Sequence, residues 1–95
     1  LLEFAREYEE KARLAFENAL QLGEAQGRYA DVAVLARRGI SLFPAALGWY
    51  VVLMRAHHAL RQFDAALEAF KQLGNAAQKE NELVPDAARH LARQI

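Results

Sequence analysis

Residue types recur along this chain at a spacing of 34. Tyr29 and Phe63 stand in register at that shift, which also brings Phe16 onto Tyr50, Val32 onto Ala66 and Ala36 onto Phe70. Ile40 onto Gly74 and Pro44 onto Gln78 break the pattern. Each of these residues sits in a run whose apolar positions are three and four apart, the spacing of one helix face. The repeated unit is therefore a pair of helices joined by a turn. One such hairpin cannot bury its apolar face alone, so copies must stack.

Composition agrees with helix throughout. The chain has 95 residues, with 20 Ala, no Thr, one Ser (Ser41) and only seven Val plus Ile. Alanine loses no side-chain entropy in a helix, whereas β-branched residues favour strands. The first helix carries Phe4, Tyr8, Ala12, Ala15, Phe16, Ala19 and Leu22 on one face, and Glu3, Glu7, Glu10, Lys11 and Glu17 on the other. Gly23 and Gly27 bracket a polar turn. A second helix from about Tyr29 ends at Phe43, because Pro44 restricts the residue before it. A third helix starts at about Ala45. Arg61-Gln62 makes the next turn, and a fourth helix from Phe63 reaches Leu73, where Gly74-Asn75 offers a left-handed cap. Pro85 opens a fifth helix with Ala88, Leu91 and Ile95 on one face. The expected fold is all-α, with stacked helical hairpins at about 2–43 and 45–74 and a terminal helix at about 85–95.

A helix–turn–helix period of 34 is the tetratricopeptide length. Aromatic residues opening the second helix of each hairpin, Tyr29 and Phe63, would wedge against the first. Leu20 and Met54 occupy places where that pattern has a small residue.

The run Leu53-Met54-Arg55-Ala56, then Ala66-Leu67 and Phe70, then Glu82-Leu83-Val84-Pro85, resembles the bacterial transcriptional activator domain of SARP-type antibiotic regulatory proteins. Leu35-Ala36-Arg37-Arg38 through Pro44 is similar to that family's arginine-bearing helix ending at a proline. Arg61 stands where the family has a turn glycine. The resemblance implies a regulatory module in the cytoplasm, beside a DNA-binding domain that Leu1 to Gly27 does not contain. Its implied partner is protein: a second copy, giving a dimer, or a neighbouring regulatory domain.

The charge pattern narrows the partner class. Twelve Lys+Arg balance twelve Asp+Glu. Zero net charge argues against direct nucleic-acid binding, which needs many cations to replace counterions. Residues 1–24 carry −3, residues 25–61 carry +4 and residues 62–95 carry −1. The basic middle suggests Arg37, Arg38 and Arg55 as anchors for an acidic partner. The longest uncharged run, Gly39 to Met54, has 16 residues and contains Pro44, too short and too broken for a membrane span. The chain opens at Leu1 with no initiator Met and no basic n-region, which reads as an excised piece without a signal peptide.

Chemistry is thin. The absence of Cys removes disulfides, thiolate metal sites and Cys nucleophiles, and fits a reducing compartment. His57 and His58 are adjacent, so they point apart on a helix and do not share a metal. Ser41 lies in no Gly-x-Ser-x-Gly frame. We expect no catalytic residue, no metal and no cofactor.

Trp49-Tyr50-Val51-Val52 places four apolar residues in succession, more than one helix face hides. Tyr50 belongs to the core, leaving Trp49 and Val52 either covered by another helix or forming an interface. Helical alignment also sets Glu17, Gln21, Val51, Arg55 and His58 along a concave groove. The candidate partner-binding set is Trp49, Val51, Val52, Arg55, His58, Arg37 and Arg38. The leading expectation is a non-catalytic interaction module of a transcriptional regulator. The alternatives are a tetratricopeptide adaptor or chaperone scaffold holding a peptide in its groove, and a small-molecule sensor with Trp49 and His58 lining a pocket.

Overall fold

The computed structural model describes the backbone of residues 2–95 and the side chains of residues 10–95. The outward and inward assignments of Glu3, Phe4, Glu7 and Tyr8 lie outside the described side chains. Among the described residues the chain forms five helices and no strand: α1 Leu2–Ala25, α2 Tyr29–Leu42, α3 Gly48–Ala59, α4 Phe63–Lys79 and α5 Asp86–Arg93. No described helix is long and apolar enough to cross a membrane.

The repeat is written most clearly in the turns. After α1, Gly27 adopts φ 70, the Gln26 amide donates to Leu22 at 3.0 Å, and the Arg28 amide reaches back to Gly23 at 2.8 Å. After α3, Arg61 adopts φ 60, the Leu60 amide donates to Ala56 at 3.0 Å, and the Gln62 amide donates to His57 at 2.8 Å. These are the same bonds shifted by 34. Both turns close the helix with a left-handed residue and a six-to-one bond, the Schellman arrangement. Arg28 and Gln62 then open the next helices with nearly equal dihedrals, φ −87, ψ 60 and φ −94, ψ 70.

Gly27 occupies the left-handed region at no steric cost, but Arg61 does so with a Cβ. Arg61→Gly is therefore expected to raise stability by about 0.5–1 kcal/mol, measured as a shifted urea midpoint with unchanged slope. An unchanged or lower midpoint would mean that the Arg61 side chain makes up for its own backbone.

Two helix boundaries depart from the sequence expectation. α3 begins at Gly48 rather than Ala45, because residues 44–47 form a turn in which the Ala46 amide donates to Phe43 at 3.0 Å. α4 does not end at Gly74-Asn75; it continues to Lys79, and the left-handed residue is Asn81, φ 56. The reason is tertiary. Ala66, Ala69, Leu73 and Ala77 form one buried stripe, and burying Ala77 carries the helix past the weak Gly74. Gly23 likewise lies within α1. A Cβ there would come within 2.7 Å of Val32 Cγ2, so its small size sets how closely α1 and α2 approach.

α3 is the centre of the stack. It packs between α2 and α4, α1 flanks α2, and α5 rests on α3 and α4. Seven of its twelve residues are buried: Trp49, Tyr50, Val51, Leu53, Met54, Ala56 and His57. The core runs from Leu20 through Val32, Ala36, Met54 and Leu73 to Ala88. Leu20, Met54 and Ala88 are spaced by 34 and all buried, so α5 stands in the register of a third first helix.

The two wedge aromatics share a backbone setting but not their surroundings. Tyr29 is half-buried against the core, whereas Phe63 is 42% exposed and packs steeply inclined to the His58 ring, at a centroid distance of 5.6 Å. α2 is flanked by α1 and the twelve-residue α3, α4 by α3 and the eight-residue α5. The equivalence expected of the two rings holds for the chain path and fails for the side-chain environment.

Candidate functional site

A groove of about 420 Å³ lies along the faces of the first-helix elements, between α1, the start of α3 and the α4–α5 turn. α1 contributes Arg13, Glu17, Leu20, Gln21 and Glu24, which recur three and four apart and so share a face. α3 contributes Trp49, Val52 and Arg55 by the same spacing. Glu82 reaches the groove from the turn after α4. Its backbone is held by the third left-handed closure, in which the Glu82 amide donates to Ala77 at 2.8 Å.

Arg55 ties the groove walls together. Its Nε and Nη2 donate to the two oxygens of Glu24 at 2.9 and 3.0 Å, a fork that joins α3 to α1. Such a bidentate pair is directional, but half of the Arg55 side chain meets solvent, so its net contribution is about 0.5–1 kcal/mol. Arg13 faces Glu17 more loosely, at 3.7 Å.

The structure re-sorts the candidate partner-binding residues. Trp49, 3% exposed, and Val51, 7% exposed, are core residues and not surface anchors. The Trp49 ring meets the edges of Phe16 at 6.0 Å and stacks with Phe43 at 6.3 Å, while its fused edge rests on the bare Gly39. Convergence of α1 and α2 on this side of α3 explains why the apolar run leaves no exposed tryptophan. Its Nε1–H is buried without an acceptor. Val52 is half-buried and walls the groove. His58 is half-buried against Phe63 and lies outside the groove lining. Of the five residues expected along the groove, Glu17, Gln21 and Arg55 line it, whereas Val51 and His58 do not.

Arg37 is exposed, yet it has an internal task. Its Nη2 donates to His57 Nε2 at 3.1 Å. A guanidinium has no acceptor, so Nε2 carries no proton, and Nδ1–H donates to Gln62 Oε1 at 2.8 Å. The buried imidazole thus joins α2 to the α3–α4 turn. Gln62→Ala leaves Nδ1–H without its acceptor, and a loss of about 1–3 kcal/mol is expected in chemical denaturation. A loss below about 0.5 kcal/mol would show that solvent replaces the glutamine. Arg38 is exposed and makes no side-chain hydrogen bond or ion pair among the described residues.

Sequence reasoning missed Arg13, Glu24 and Glu82. Arg13 lies one helical turn before Glu17 and Glu24 one turn after Gln21, so both could have been found by extending that face. Glu82 could not, because its place depends on where α4 ends. Among the described residues no cluster of three His, Cys, Asp or Glu side chains is arranged to hold a metal ion. No family model, no curated protein and no solved structure matches the chain.

Proposed function

We propose that this chain is a non-catalytic protein-interaction module whose groove between α1 and α3 holds a short segment of a partner protein. The observation that carries this reading is the groove itself. It pairs an apolar wall, Val52 with the largely covered Trp49 beneath it, with polar groups, Gln21 and the Arg55–Glu24 fork, all carried on helices. Concave sites of this kind, part apolar and part polar, are where ligands settle on stacked-hairpin scaffolds. Placement in a bacterial transcriptional regulator is the narrower form of the proposal. In the run Leu53-Met54-Arg55-Ala56, Leu53, Met54 and Ala56 are buried and Arg55 alone reaches the groove. The partner segment would then belong to a neighbouring regulatory domain. Self-association through Trp49 is not part of the proposal, because that ring is in the core.

Panning a random dodecapeptide library against the immobilised chain tests the reading. Binders are expected whose affinity is lost in Val52→Glu and in Gln21→Arg and kept in Arg38→Glu. Circular dichroism confirms that each variant is folded, and Gln21 is exposed enough for its variant to stay so. Binders indifferent to both groove variants, or no binders, would overturn the proposal.

A further inference from the structure

The charges within the groove are not evenly matched. Arg13 is answered by Glu17 at 3.7 Å, and the Arg55 fork is filled by Glu24 at 2.9 and 3.0 Å. Glu82 makes no ion pair among the described residues. Three carboxylates therefore face two guanidiniums, and the surplus sits on a residue whose backbone is pinned to Ala77. An acidic ligand meets that surplus and has to displace Glu24 to reach Arg55. A cationic side chain meets Glu82 with nothing to displace. This reverses the acidic partner suggested by the basic middle of the sequence, because Arg55 and Arg37 are already occupied within the fold.

One further feature defines what accompanies the cation. Val52 walls the groove, with the largely covered Trp49 beneath it, and this wall suits an apolar side chain.

We infer that the groove selects a peptide segment in which a lysine or arginine adjoins an apolar residue, with Glu82 as the specificity-determining carboxylate. The inference rests on the groove being a peptide site, and its test separates the two. The probes are acetylated and amidated hexapeptide pools with a central Lys, Gln or Glu and the other positions drawn from Ala, Leu and Ser. Trp49 is the single tryptophan, so its indole N–H gives one resonance to follow.

The Lys pool is expected to bind about twofold to fivefold more tightly than the Gln pool, the Glu pool to bind weakest, and the indole resonance to shift as the groove above the ring fills. Glu82→Gln should level the Lys and Gln pools, and Glu82→Lys should favour the Glu pool. Equal binding of all three pools in the groove would overturn the selectivity and leave the peptide site standing. A Lys preference that survives Glu82→Gln would overturn the assignment to Glu82. No binding by any pool, with the indole resonance fixed, would remove the peptide site and the inference with it.

Discussion

Trp49→Ala is expected to cost about 3–5 kcal/mol of folding stability, the range for removing a large aromatic from a packed core. The ring is 3% exposed and is held by Phe16 from α1, Phe43 after α2 and the bare backbone of Gly39. α1 and α2 cannot collapse onto an alanine without giving up their own contact, so most of the space stays empty. Urea denaturation followed by circular dichroism measures the loss, since the variant has no tryptophan to report by fluorescence. The same experiment decides between two roles for this residue. A tryptophan serving as a surface anchor would leave stability within about 0.5 kcal/mol of the parent.

The second large effect runs against helix propensity. Gly39 lies within α2, where Gly→Ala ordinarily stabilises by about 0.8–1 kcal/mol. A Cβ at that position would stand 2.7 Å from Trp49 Cδ2 and 2.9 Å from Cε3. Those atoms belong to a rigid, buried ring that forms a three-ring cluster with Phe16 and Phe43, so they have little room to withdraw. Gly39→Ala is expected to destabilise by about 1–3 kcal/mol, the usual cost of overpacking. Gly74→Ala is the matched comparison: it is also helical, nothing lies within 4 Å of its added Cβ, and a gain of about 0.5–1 kcal/mol is expected. The sign difference is the observation that matters. Two gains would mean that the indole moves aside, and the aromatic cluster would then be looser than its geometry implies.

Trp49→Ala also bears on the groove. Trp49 lies beneath the groove and is 3% exposed, so in buffer that keeps the variant folded, peptide binding should weaken through the loosened wall. The Arg55–Glu24 fork, in contrast, is half-exposed, and breaking it should alter binding more than stability.

Much of this architecture could be read from residue order. Apolar spacing marked every helix, Pro44 marked the end of α2, and the shift of 34 located two turns whose hydrogen bonds match one for one. Those features are local: a helix face, a proline ring and a left-handed residue act within a few positions of themselves. The groove was legible in part for the same reason, since Glu17, Gln21 and Arg55 follow from helix phase alone.

The rest depended on residues far apart in the chain. Helical phase says which side chains share a face, but not how many faces the neighbours cover. Residue order left Trp49 either covered or at an interface and set Val51 along the groove; both were decided only when the neighbouring helices packed around α3. Gly74 looked like a terminus until the burial of Ala77 extended α4, and that extension is what delivers Glu82 to the groove. Nearest-neighbour chemistry thus wrote the helices and turns. Which residues are core, which are surface and which carboxylate lacks a partner emerged only on stacking, because burial and ion pairing are properties of what surrounds a side chain.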